Sequence, residues 1–176
     1  MGNKRDNFQS DKEQTEKVIQ IRRVTKVVKG GKRLAFRAAV VLGDRAGKVS
    51  LALGKSREVP SSIRKAVERG KKHLALMRIS GGTIPHEIWG RAGATRVFLR
   101  PAPEGTGVIA GGAVRTVLEM VGLKDVVAKS HGSSNSINMA RAAIDALRRL
   151  QNAEVIGQRR GVTLKTTRVQ KSVETT

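Results

Sequence analysis

The segment from Lys17 to Val28 reads KVIQIRRVTKVV, a run in which Val and Ile recur between charged residues. After Gly30-Gly31 a second apolar-rich run, KRLAFRAAVVL, extends from Lys32 to Leu42. Two β-rich runs around a Gly-Gly pair predict a hairpin. The turn-rich stretch Gly43-Asp44-Arg45-Ala46-Gly47 separates it from a third predicted strand, Lys48 to Leu53. The period changes at Pro60, a residue suited to the first turn of a helix. Ile63, Ala66, Val67, Gly70 and Leu74 then recur at helical spacing. The other face of this helix carries Arg64, Lys65, Glu68, Arg69, Lys71 and Lys72, five of them basic, and is a plausible phosphate contact.

Around Ser80-Gly81-Gly82 the pattern pauses, which we read as a linker. The chain then divides into a polar tail over residues 1–15, a first domain over 16–80, a second over 81–160 and a flexible tail over 161–176. In the second domain the pattern predicts strand, strand, helix, strand, helix. The strands fall near Thr83 to Trp89, Thr95 to Arg100 and Asp125 to Ser130. The helices fall at Gly112 to Val121 and Ser136 to Leu150. The second of these has Ile137, Ala140, Ile144, Leu147 and Leu150 on one face and Ser136 as its expected cap. A helix or turn is expected from Ala153 to Arg160. The fold class is therefore α+β in both halves.

Charge narrows the functions open to such a chain. Its 176 residues hold 35 Lys+Arg against 14 Asp+Glu, a formal net charge of +21, and the sequence pI is about 11.6. Up to Ser80 there are 21 basic and 7 acidic residues; beyond it, 14 and 7. An excess of this size calls for a polyanionic partner. A membrane surface is disfavoured, because the apolar stretches are short, such as Ala38 to Leu42, and the single Trp89 lies in a Gly-flanked segment. The first 16 residues carry Asp6, Asp11, Glu13 and Glu16 without an apolar core, unlike a secretory signal or a mitochondrial presequence. Zero Cys excludes disulfides, thiolate catalysis and Cys-bound zinc, and fits a reducing compartment. Aromatic residues are only 2% of the chain, so phosphate contact and shape recognition are favoured over base stacking.

The basic residues cluster. Arg22, Arg23, Lys26, Lys29, Lys32 and Arg33 surround the Gly30-Gly31 tip, where a glycine pair lets backbone approach a phosphate chain. Six charges within twelve residues exceed what protection of an edge hairpin from aggregation requires. A different signal, Gly105-Thr-Gly107-Val-Ile-Ala110, follows a strand and opens a helix as a dinucleotide-binding loop does, with Asp125 further on. Its placement is wrong, because Asp125 precedes the apolar run Val126-Val127-Ala128 rather than closing a second strand. Gly111-Gly112 is read instead as a close-packed helix start whose free N–H groups suit a phosphate. His73, His86 and His131 and the carboxylates form no metal-ligand spacing, nucleophile motif or carboxylate pair on one face. Neither catalytic residues nor a metal or cofactor is expected.

In order along the chain stand KVVKGGKR, GKSREVPSSIRKAVERGKKHL, TIPHE, RPAPEGTGVIAGGAVRTVLEMVG and DVVAKSHGSSNSINMARAAIDAL. The sequence closely resembles the small-subunit ribosomal protein five family of bacterial type over about residues 16 to 160. EGTGVIAGGAVR and INMARAAIDAL are the most specific of these motifs. The resemblance implies an N-terminal module similar to the double-stranded-RNA-binding fold, three strands plus a helix, and a C-terminal α+β domain of the family's own type. It implies a non-enzymatic constituent of the cytoplasmic small subunit, not a homo-oligomer, that binds ribosomal RNA and touches small-subunit proteins four and eight near the messenger-RNA entry region. Under this reading RNA contact falls to Arg22, Arg23, Lys26, Lys29, Lys32, Arg33, Lys55, Arg57, Arg64 and Lys65. Contact with protein four and an influence on decoding accuracy fall to Gly107 and Arg115. The loop matching Arg22 to Gly31 would approach head RNA near the spectinomycin site. The sequence departs from the family at Arg45, where Gly is usual, at Ser50 to Leu53, where glycines often alternate, and at Ser136, where Pro commonly follows Asn135.

Overall fold

A computed structural model describes residues 14–79 and 82–162. The elements run β1 (Thr15–Val28), β2 (Gly31–Gly43), β3 (Lys48–Ser56), α1 (Val59–Lys71), β4 (Ala75–Leu76), β5 (Ile88–Ala92), β6 (Thr95–Pro101), β7 (Val108–Ile109), α2 (Gly112–Val121), β8 (Val126–Gly132), α3 (Ser136–Arg149) and α4 (Ala153–Arg160). They form two four-stranded sheets, ordered β1-β2-β3-β4 and β5-β6-β8-β7. The three-strand-plus-helix module and the following α+β unit are thus present. Ser80 and Gly81 of the expected linker, and residues 1–13 and 163–176 of the expected tails, lie outside the described residues.

The hairpin β1–β2 is long because Val and Ile keep the chain extended up to the Lys29-Gly30 tip. Its antiparallel register runs from Thr15 opposite Gly43 to Val28 opposite Gly31. One irregularity falls between Val18 and Gln20, where Ile19 is the extra residue of a bulge and packs against the larger core. The two faces of β2 serve different neighbours. Ala38, Val40 and Leu42 are buried against α1 through Ala66, with Ile63, Val67 and Leu74 around them. Val41 instead joins Val49, Val114, Val117, Leu118 and Val121 in a core that continues into the second sheet and its helices. Period-two alternation in one apolar run therefore fills two cores.

The join between the halves is made by backbone. The turn after β2 sits on the C-terminal end of α2, where Arg45 N–H donates to the Met120 carbonyl at 3.1 Å and Gly47 N–H to the Val121 carbonyl at 2.9 Å. These are carbonyls that the end of a helix leaves without intrahelical partners. Only a residue without a side chain fits at position 43, since a Cβ there would lie 2.1 Å from the Met120 carbonyl oxygen. Arg45 adopts a left-handed backbone, φ 51°, a conformation that favours glycine. Lys17 reaches Glu119 of α2 at 3.1 Å on the same side.

Two expectations need correction. The strand expected at Thr83 to Trp89 begins only at Ile88 and runs to Ala92, because the chain bends at Pro85-His86 and proline has no N–H for a ladder. The cap of α3 is Asn135, whose side-chain oxygen accepts from Ile137 N–H at 3.1 Å, with Ser136 the first helical residue. The short strands β4 and β7 were not expected, since two residues carry no periodicity. Pairing of β7 with β8 is parallel, while β6 pairs with β8 antiparallel, so the sheet is mixed.

Candidate RNA-binding surface

In an antiparallel ladder, directly opposed residues project from the same face. Arg22 lies opposite Arg37, which in turn lies opposite Lys55 on β3, giving a row of three cations across three strands. Two pleats nearer the tip, Lys26 lies opposite Arg33. At ~3.3 Å per residue the two rows stand about 13 Å apart. Like charges on directly opposed positions, with Cβ atoms about 4.5–5.5 Å apart, are destabilising. This arrangement is unfavourable alone and is relieved by a polyanion.

The remaining sequence candidates are more scattered. Arg23 and Lys32 project from the other face of the hairpin, opposite Phe36 and Val27, and Lys29 occupies the tip. Arg57 is exposed between β3 and α1, and Arg64 and Lys65 are exposed on α1, which covers the Ala38–Leu42 face of the sheet. The ten candidates thus divide between one cationic sheet face, the other face and tip of the arm, and α1 with the loop before it. Among the described residues none of them forms an ion pair with a carboxylate. Arg69, a fourth cation of the α1 surface, is committed to the Leu53 carbonyl at 2.9 Å. Sequence reading missed Arg37, which completes the three-cation row. It stands inside an apolar run, and only the strand register places it between Arg22 and Lys55.

At the second candidate region, Gly107 has φ +76°, a conformation that favours glycine. Its N–H donates to Asp125 Oδ1 at 2.9 Å, and its carbonyl accepts from Val126 N–H at 3.2 Å. The acid that a dinucleotide site would use on a ribose here fastens the glycine loop. The loop is also misplaced for such a site, because it precedes β7, which pairs parallel with β8 across α2, instead of joining that strand to the helix. Arg115 folds back from α2, its Nη2 donating to the Val108 carbonyl at 2.7 Å, with Glu119 at 3.7 Å. Gly107 and Arg115 are therefore brought together through β7. Gly111 and Gly112 are not close-packed, as expected from sequence, because a Cβ at either would meet no atom within 4 Å. The helix start is open.

One of the three histidines, His86, is engaged at both ring nitrogens. His86 Nε2 accepts from Gln151 N–H at 3.2 Å, which leaves Nδ1 to donate to the Glu87 carbonyl at 2.8 Å. Among the described residues no group of three His, Asp or Glu is placed to hold a metal ion, and no helix is long and apolar enough to cross a membrane.

A long hairpin with opposed cations on one face, on a mixed α+β scaffold, suits the class of polyanion-binding proteins. Two family models match the sequence: "Ribosomal protein S5, N-terminal domain" over residues 14–78 and "Ribosomal protein S5, C-terminal domain" over residues 90–160. Small ribosomal subunit protein uS5 of Ruegeria pomeroyi is 50% identical over 161 residues, spanning 91% of this chain and 85% of that protein. Small ribosomal subunit protein uS5 of Rhodopseudomonas palustris is 50% identical over 163 residues, spanning 92% and 85%. The chain belongs to the ribosomal protein S5 family, whose members are structural, non-enzymatic components of the ribosome.

Proposed function

We propose that the chain acts in the small ribosomal subunit as a rigid bracket. Its hairpin face binds ribosomal RNA of the head, and its second half contacts the body and small-subunit proteins four and eight near the messenger-RNA entry region. It works in the cytoplasm as a single copy per subunit. The observation that carries the reading is the pair of like-charged cross-strand rows, Arg22–Arg37–Lys55 and Lys26–Arg33, without carboxylate partners among the described residues. Phosphates are the groups that make such rows favourable. The backbone join of the Gly43–Gly47 turn to α2 supports the bracket, because it fixes the arm relative to the second half. Gly107 and Arg115, held together through β7, form the contact with protein four through which decoding accuracy is influenced.

The mechanism is passive neutralisation and positioning. With about five or six phosphate contacts, binding of isolated ribosomal RNA falls with salt at a log–log slope on the order of −4 to −6. Filter binding between 50 and 200 mM salt, roughly the range over which such slopes are read, measures it; a slope shallower than about −2 refutes the phosphate model. Sedimentation of the cell extract tests the assembly, since a chain missing from the small-subunit fraction is not the proposed bracket.

A further inference from the structure

The outer face of the second sheet carries a feature that hairpin binding does not use. Gly90, Val97, Leu99 and Ala128 turn inward, with the buried side chains of α2 and α3 in the same core. The alternate positions turn outward. On that outer face Trp89 lies opposite Phe98, their ring centroids 4.9 Å apart at 39°, and His131 stands 5.5 Å from the indole at 44°. Trp89 is nevertheless 49% exposed. Phe98 lies opposite Lys129, while Arg91, Arg96 and His131 form the next cross-strand row. Arg100 follows on the other side, where an open depression of about 420 Å³ is lined by Glu87, Arg100, Pro101, Thr106 and Val127.

The low aromatic content speaks against stacking only if the aromatics are dispersed. Two of the chain's four Phe and Trp residues meet on this one surface. An exposed indole among arginines suits a π-faced, negatively charged ligand better than an apolar protein surface, which would leave the guanidinium groups without partners. A base offers a flat face to the indole, and its phosphates offer charge to the flanking cations. Duplex RNA presents no free base face, so the occupant is single-stranded.

The geometry points to a second RNA site on the outer face of β5, β6 and β8, where an unpaired stretch of ribosomal RNA stacks on Trp89 and Phe98 between Arg91, Arg96 and Lys129. It rests on the ribosomal reading above and adds to it a different mode of recognition.

Trp89 is the chain's only tryptophan, so its emission reports this face alone. Titration of the full chain with octaadenylate should quench that emission saturably, and an octamer duplex should not. Labelled-octamer anisotropy should show Trp89→Phe binding within about threefold of wild type. Trp89→Ala and Phe98→Ala should each weaken binding by about five- to 150-fold, the range for loss of one stacked base. Trp89→Leu, which keeps apolar bulk without a π face, should show the same loss and guards against a folding effect. Absence of quenching, equal quenching by the duplex, or a Trp89→Leu affinity within twofold of wild type overturns the site. In assembled small subunits Trp89→Leu should expose one unpaired stretch of ribosomal RNA to base-specific chemical probing. Normal incorporation with no change in the ribosomal RNA overturns the site alone, whereas absence of the wild-type chain from the subunit overturns the ribosomal reading as well.

Discussion

Substituting Gly43 by alanine tests whether the two halves are one mechanical unit. The new Cβ would stand 2.1 Å from the Met120 carbonyl oxygen, 2.7 Å from its carbon and 2.8 Å from the Met120 Cβ. Ordinary contact begins near 3.4 Å, so the turn and the end of α2 must separate by roughly an ångström. Both partners are backbone, and no side-chain rotation relieves the clash. A separation of that size breaks the bonds from Arg45 and Gly47 to α2, now 3.1 and 2.9 Å long. Two lost hydrogen bonds at about 1 kcal/mol each, with about 1–3 kcal/mol for overpacking, give a loss on the order of 3–5 kcal/mol. With a urea m-value of about 2 kcal/mol/M, the unfolding midpoint should fall by about 1.5–2.5 M. Gly30→Ala is the matched control, because a Cβ at the hairpin tip meets nothing within 4 Å. It should stay within about 0.5 kcal/mol of wild type. Equilibrium urea unfolding followed by circular dichroism measures both variants. A Gly43→Ala midpoint within about 0.5 M of wild type, on the same scale, refutes the rigid join.

Reversing charge with Arg22→Glu and Lys26→Glu should reduce the magnitude of the salt slope by about 2, read by filter binding at several salt concentrations, and alter spectinomycin response in cells. Arg37→Ala should reduce the slope by about 1 while leaving the isolated protein at least as stable, because the opposed charges of Arg22 and Lys55 lose a repelling neighbour; a destabilised protein with an unchanged slope would count against the row. Asp125→Ala should cost about 1.5–3 kcal/mol by removing the charged acceptor of Gly107 N–H, with faster amide exchange across the Gly105–Gly107 loop as the local readout. Arg115→Leu frees the Val108 carbonyl and should change misreading frequency in a miscoding reporter while the folded protein still enters the subunit.

Much of the first sheet was legible because its signals are local. Alternating Val and Ile, the Gly30-Gly31 pair and Pro60 each act over a few residues, and they mark β1, β2 and α1 with small shifts at the ends. Register was not legible, since the bulge at Ile19 arises from how β1 meets the larger core rather than from its own composition. Arg37 was hidden for the same reason, and so was the meeting of Trp89, Phe98 and His131, which lie up to 42 positions apart in sequence. The Gly105 loop shows the opposite case. Its glycine spacing suggested a nucleotide site, but the pairing of β6, β7 and β8 gives those glycines and Asp125 a structural task.

Strand β2 is where hairpin binding and the join to the second half meet. Its tip-proximal residues Lys32 and Arg33 stand among the hairpin cations, its middle packs on α1 through Ala38 and Val40, and its end reaches α2 at Gly43. A salt slope counts phosphates and depends on the cationic rows, whereas in the proposed bracket any transmission from head to body would run through the end of the strand. Gly43→Ala should therefore keep the hairpin's salt slope for isolated RNA within about 1 of wild type, because the cationic rows lie in the β1–β2–β3 ladder away from the clash. The same variant should weaken the hold of head on body in assembled subunits, read as altered chemical probing of head RNA without loss of the chain from the particle. Loss of the RNA slope together with the join would mean that the hairpin's cations depend on α2 for their arrangement, and the separation of binding from bracing would fail.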